Sequence, residues 1–403
     1  MPAFEPFAGL RYDPARFRPA DVTAPPYDVL DEADVAALLE RSPRNVVAVD
    51  VPLESAGPGR YAMAARTFAG WRAEGTLVAD DRASFTVYRM AYADDLGRPV
   101  ETVGVLGALA LSRPGEGGIL PHEETTPKAR SDRLDLTRAT EANLSPVWGL
   151  SLTKGLTELL ALTEAPLWDW ADDDGVTHTV WRVDDPERVA AVREAVAASP
   201  VVIADGHHRY EVALAYREER RAVEGDGTPA ESTLCFVVEL VEDQLTVRPI
   251  HRLLGGPGAS DGLLEALTAT HFDALERLPA GDVTAGVVLR RMADDGALAF
   301  VHGDGSATLL RPRPSAFEGR ADLDSARLAA ALEGVEDVDV AYQHGVELVQ
   351  RALRDGRAAA GVLLRPATVA QIEANAHAGE RMPPKTTFFA PKPKTGIVFR
   401  SLR

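Results

Sequence analysis

An aspartate, a glycine, two histidines and an arginine follow one another at residues 205–209, between the apolar run VVIA and the amphipathic stretch RYEVALAYREER. A strand ending at Ala204 and a helix beginning near Arg209 would leave Gly206 to supply the unusual backbone angles of the turn. The N–H groups of the helix start would then face the same point as the imidazoles of His207 and His208 and the guanidinium of Arg209. These are the donors that a phosphate takes. Asp205 adds a carboxylate able to orient a histidine, bind a metal or accept a proton. Two adjacent histidines alone read better as loop residues, with Asp205 as a helix cap. The whole strand-to-helix arrangement turns that preference toward a site.

Four more segments carry residue types suited to the same chemistry. In PHEETTPKARSDRLDLTRA, His122 and Glu123 form an acid/base pair, and Lys128, Arg130, Arg133 and Arg138 concentrate positive charge. The plainer account pairs Arg133 and Arg138 with Asp132, Asp135 or Glu141 on a solvated helix. In VTAPPYDVL, Pro25 and Pro26 stiffen a loop that holds Tyr27 and Asp28, and Asp28 suits a substrate ammonium, a magnesium ion or the cap of the helix that follows. RPIHRLL sets His251 and Arg252 at a strand end. Lys385, Thr386, Thr387 and Lys392 lie in a proline-rich segment that reads as a lid over phosphate or as a basic tail, and Phe388 and Phe389 favour a docked segment.

The rest of the chain limits where such a site can be. Acids outnumber lysine and arginine by 61 to 43 in 403 residues, a formal charge of −18, so the general surface repels nucleic acid and anionic membrane. An anion site must be a local pocket. Cys235, the single cysteine, sits within STLCFVVEL as a small buried hydrophobe. No apolar run reaches membrane-spanning length, and a soluble cytoplasmic protein is expected. A phosphate-loop lysine motif, a dinucleotide fingerprint, a paired-cysteine motif, a zinc-protease helix and a serine-hydrolase elbow are all missing from the sequence.

NVVAVDVP, ASFTVYRMAY, TVGVLGALAL, VVIA and TLCFVVEL read as strands, and DEADVAALLERS, RYAMAARTFAGWRAEG and PERVAAVREAVAAS have helical spacing. The fold class is mixed α/β (α+β). A fresh cycle of helix and strand signals follows the cluster GGPG, so the division is placed between a core domain, 1–255, and a smaller α/β domain, 256–403, whose C-terminal segment is expected to dock at the site.

DGHHRYEVAL resembles the nucleotide-contacting loop of the ParB/sulfiredoxin superfamily, above all its free-serine kinase branch, where such a loop lies at the phosphates. Sulfiredoxins carry a catalytic cysteine in this loop, and here histidine takes that place, which argues against sulfinic acid repair. The partitioning branch needs a basic DNA-binding region that this acidic chain lacks. More broadly, PFAGLRYDP, VTAPPYDVL, IADGHHRYEVAL, PIHRLL and GERMPPKTTFFAPKPKTGIVFRSL resemble, in matching order, domain-of-unknown-function family 1015. The resemblance implies a ParB/sulfiredoxin-like catalytic core and a phosphotransferase acting on the hydroxyl of free L-serine or a similar small molecule. The donor is pyrophosphate or a nucleotide, and magnesium is the expected cofactor. Asp205, His208, Glu123 and His122 are the expected catalytic groups. Gly206, His207, Arg209, Lys128, Arg130, Asp28, Tyr27, His251, Arg252, Lys385 and Thr386 are expected to bind substrate or phosphate. The alternatives are a nucleotide-binding regulator without turnover and a phosphatase or nucleotidase.

Overall fold

Ser232–Glu239 is buried along nearly its whole length, and its side chains leave alternately to two faces. Cys235 and Val237 join a core with Phe4, Phe85, Val105 and Val201, whereas Phe236 packs against Tyr88 at 5.5 Å and Trp148 at 5.8 Å. A strand covered on both sides needs apolar residues at every position, which is why this stretch reads as an unbroken run. The computed structural model describes residues 1–53, 57–94, 97–113, 116–121, 130–259, 262–379 and 382–403.

The fold is mixed α/β, in two units: Met1–Thr246 with Pro391–Arg403, and Val247–Ala390. In the first, the strands run in the order Ile119–Pro121, Val201–Asp205, Val147–Ser151, Ser232–Glu239, Pro99–Ala110, Phe85–Ala93, Thr177–Val183 and Trp168–Ala171, with Phe4–Glu5 beside Pro99–Ala110. Helices Pro186–Ala197 and His207–Glu224 cover one face, contributing Val192, Val196, Tyr210 and Ala213 to the core.

NVVAVDVP, expected as a strand, forms instead the single helical turn Val47–Asp50. Asn45 decides this. Its Oδ1 accepts from the Val47 N–H at 3.2 Å, while its Nδ2 donates to the Asp21 and Thr23 carbonyls at 2.9 and 3.0 Å. These bonds hold the backbone in a turn against the strand preference of the valines. Asp50 is thereby carried into the interior, 2% exposed.

In the second unit, the sheet runs Phe272–Leu278, Ala307–Pro312, Leu298–Val301, Ala360–Leu363, Thr246–Gly255 and Asp339–His344, with Thr387–Ala390 also paired to Thr246–Gly255. Leu253 enters one core with Val288 and Val349, from helices Ala285–Asp295 and Val346–Arg354. Its neighbour Leu254 enters another with Leu267 and Leu328, from helices Gly262–Thr270 and Asp324–Leu332.

The division between units falls ahead of Thr246–Gly255 rather than at the GGPG cluster after it. That strand pairs with Asp339–His344 and Ala360–Leu363. The segment from Pro391 onward belongs to the first unit. Thr395 pairs with Ala24 and Phe399 with Leu10, and Arg400–Ser401 pairs with Ala142–Asn143. Among the described residues no helix is long and apolar enough to cross a membrane.

Candidate functional site

Val201–Asp205 lies parallel to Ile119–Pro121 and antiparallel to Val147–Ser151. The strand includes Asp205, and the helix begins at His207, both tighter than the spacing suggested. Gly206 makes the turn alone, with φ 82° and ψ 29°. Only glycine occupies that region without strain, and a Cβ there would stand 2.8 Å from Arg209 Nε. His207 and His208 thus occupy the first helical turn, half-buried, at the positive end of the helix dipole.

Arg209 folds back over the turn. Its Nη2 donates to Asp205 Oδ2 at 2.6 Å and its Nη1 to the Pro146 carbonyl, while its Nε is buried without a partner among the described residues. The other oxygen of Asp205 is 3.0 Å from Lys392 Nζ, and that ammonium is also 2.5 Å from Asp28 Oδ2. Asp28 is reached through the extended Pro26 and the short turn Tyr27–Val29. Over the Tyr27 ring stand two guanidinium carbons, Arg133 at 3.9 Å and Arg209 at 5.9 Å from its centroid. Arg133 donates to the Asp50 carbonyl at 2.7 Å and to its carboxylate at 3.3 Å. Five stretches of chain thus meet within the first unit: 27–28, Asp50, Arg133, 205–209 and Lys392.

A pocket of about 50 Å³ opens beside this cluster, between helices Arg130–Thr140 and His207–Glu224. Asp50, Arg133 and Arg209 supply its charged lining, and Leu136, Leu144 and Val212 part of its apolar lining.

The charges are strongly coupled. Burial pushes the Asp205 carboxyl upward, but Lys392 and Arg209 outweigh it and hold the group at about 2. Burial raises Asp50, opposed by Arg133 and Arg209. Burial also raises the Tyr27 phenol, opposed by the same two arginines. Beside Lys392, the next lysine is anchored too: Lys394 Nζ is 2.6 Å from Asp172 Oδ2, and the same oxygen is 3.0 Å from His178 Nε2. The His178 Nδ1 pairs with the Tyr88 hydroxyl at 2.8 Å, which accepts from the Lys394 N–H at 3.3 Å. Burial raises Asp172, yet Lys394 and His178 bring it to about 2.

A carboxyl depressed in the fold favours the folded state while the group is ionised, and that contribution drains as pH falls from the unfolded value, near 4, through the folded value, near 2. Urea unfolding is therefore expected to show stability beginning to fall below about pH 6.5, where the unfolded chain takes the proton that buried His251 refuses, and falling more steeply below about 4, with Asp172→Asn giving a shallower slope in that lower range. Equal slopes in the two proteins would reject the assignment for Asp172.

His122, Glu123 and Lys128 lie outside the described residues. Arg130 opens the helix Arg130–Thr140. Arg138 is exposed and pairs with Asp135 and Glu219. His251, Arg252, Lys385 and Thr386 belong to the second unit. There His251 Nδ1 accepts from the Leu364 N–H at 3.2 Å, and burial first, then His344 and Arg252, lower its pKa to about 3. Arg252 donates to the Ile250 and Pro384 carbonyls, and Thr386 shares a hydrogen bond with Ser325. Cys235 is fully buried and its thiol is raised by that burial.

Sequence reasoning missed Asp50 and left Arg133 as readily a surface ion pair. A lone acid closing the run NVVAVD was the available signal for the first. Among the described residues no three histidine, cysteine or acidic side chains are grouped to hold a metal ion.

The model of a family described as "Protein of unknown function (DUF1015)" matches residues 4–340. No curated protein matches the chain. Of solved structures, a mutant free serine kinase in complex with ADP is 12% identical, with 68% of this chain and 84% of that one covered and a TM-score of 0.37. A C-terminally truncated SbnI from Staphylococcus aureus is 14% identical, covering 72% and 85%, with a TM-score of 0.39. A conserved hypothetical protein from Pyrococcus furiosus is 11% identical, covering 70% and 90%, with a TM-score of 0.37.

Proposed function

The chain belongs to the DUF1015 family, and from that premise we propose that it is a phosphotransferase whose acceptor is the hydroxyl of free L-serine or a similarly small molecule. The observation that carries the reading is the convergence of Arg209, Lys392, Asp205 and Asp28 on the start of the helix His207–Glu224, entered through left-handed Gly206. Phosphoryl transfer asks chiefly for placement and for neutralisation of moving charge. The helix start and Arg209 supply donors for phosphate oxygens, and His208 faces the charge that develops in transfer.

In the reaction the acceptor oxygen forms a bond to phosphorus, the bridging oxygen of the donor leaves with the bonding pair, and the hydroxyl proton passes to a carboxylate. Asp205, held at about 2, is too weak a base for that step. Its part is to hold Arg209 and Lys392, and the proton falls to Glu123 in this proposal. Arg209 and Lys392 each already have a carboxylate partner, so an entering polyphosphate must compete with Asp205 and Asp28. Magnesium would enter on the donor's phosphates, where it neutralises the charge that the aspartates oppose.

The test is phosphorus NMR of the protein with serine, magnesium and, in turn, ATP, ADP and pyrophosphate. A new phosphomonoester resonance with one donor is the expected result. Inorganic phosphate without a phosphorylated acceptor would convert the reading to a phosphatase, and an unchanged donor spectrum in all three would remove the enzymatic reading.

A further inference from the structure

A single ammonium lying between two carboxylates takes up the room and the charge that such a pair offers to a metal. Lys392 Nζ stands 2.5 Å from Asp28 Oδ2 and 3.0 Å from Asp205 Oδ1, and its side chain is only 8% exposed. The two aspartates come from the loop after Pro25–Pro26 and from the end of Val201–Asp205. Magnesium bound to protein takes carboxylate oxygens at about 2.0–2.1 Å and prefers one or two of them, with water and phosphate completing the shell. Asp28 and Asp205 make such a pair, but the chain has filled it with its own cation.

The filling is enforced by what surrounds Lys392. Pro391 and Pro393 flank it, limiting the backbone on each side. Lys394 is fixed by the Asp172 carboxylate at 2.6 Å and by the Tyr88 hydroxyl at 3.3 Å from its N–H. Thr395 then pairs in both directions with Ala24, at 3.1 and 2.8 Å, just before the Pro-Pro-Tyr-Asp turn that carries Asp28. The segment that delivers the ammonium is thus bonded to the segment that delivers one of its carboxylates.

We infer that Lys392 is a built-in cation standing in the place of a divalent ion between Asp28 and Asp205. Those two aspartates accordingly do not form a magnesium site in this protein, which removes one of the three roles that the sequence left open for Asp28. Any magnesium that serves the reaction is held by the donor rather than by this pair. The charge facing the helix start at this point is the single charge of an ammonium that cannot diffuse away.

The experiment uses the full chain, without donor or acceptor, and Mn²⁺ as the probe, with free Mn²⁺ counted by electron paramagnetic resonance. The wild type is expected to show no Mn²⁺ binding below about 1 mM that depends on Asp28 or Asp205. Lys392→Ala leaves the two carboxylates facing each other and is expected to bind Mn²⁺ at least about tenfold more tightly, a gain that disappears when Asp28→Asn is added. Lys392→Arg keeps the charge and should remain like the wild type. A wild-type site lost on Asp28→Asn or Asp205→Asn would overturn the inference, as would a Lys392→Ala protein that binds no better than the wild type. Should Lys392→Ala fail to fold, Lys392→Gln carries the same expectation. The readout involves no turnover, so a failure of the phosphotransfer reading leaves this result intact.

Discussion

Arg209→Ala is expected to cost about 2–3 kcal/mol of folding stability and to abolish turnover. The Arg209 side chain is 10% exposed, and its guanidinium neutralises Asp205, which has 23% of its side chain exposed. Without Arg209, Asp205 keeps Lys392 as its ion-pair partner, and the Pro146 carbonyl loses the Arg209 donor. Breaking a fully buried pair from one side typically costs about 3–5 kcal/mol; the remaining ammonium and the partial exposure of Asp205 bring the figure down. Urea unfolding measures the loss. Arg209→Lys separates charge from shape, since a lysine retains the positive charge but has no planar fork to span Asp205 and Pro146 together. It should recover part of the stability and little of the turnover. An Arg209→Ala protein as stable as the wild type would contradict the geometry, and a fully active Arg209→Lys protein would show that the fork has no part in the reaction.

His208→Ala should lower kcat by roughly a hundredfold while the donor KM moves only a few-fold. The imidazole belongs to the first turn of the helix that starts at His207, beside Arg209 and at the positive end of the dipole. A donor so placed interacts most strongly when charge has built up on the transferring group, and an interaction of that kind is read in kcat. A protein that only binds nucleotide has no turnover to lose. Donor binding by calorimetry alongside initial rates makes the comparison. Equal rates for His208→Ala and wild type would take His208 out of the mechanism, and a fall confined to KM would make it a binding group.

Much of this arrangement could be read in the sequence because its determinants are local. VVIADG announces a buried strand closed by a turn, and the amphipathic residues that follow announce the helix; the structure moves its start only to His207. The glycine was needed because the turn takes φ 82°, and a Cβ there would also meet the Arg209 guanidinium. What escaped depends on distant partners. Lys392 meets Asp28 across 364 positions, and no periodicity carries that information. Arg133 looked like one charge among many on a helix, and its burial depends on Asp50, which in turn depends on Asn45 bending a valine-rich run into a helical turn. The division between units was misplaced for a related reason. GGPG marks a break in the chain, but the strand ahead of it takes its partners from residues 339–344 and 360–363.

The return of residues 391–403 to the first unit also sets an order of events at birth. A ribosome delivers Val247–Ala390 before the strap that pairs with Ala24, Leu10 and Ala142–Asn143. Domains usually fold as they emerge, the N-terminal one first, but here the earlier unit stays unfinished while the later one is being made. Throughout that interval Asp28 and Asp205 lack the ammonium of Lys392. Lys392 therefore reaches the two aspartates only after translation has passed Thr395 and Phe399, which bond the strap to Ala24 and Leu10.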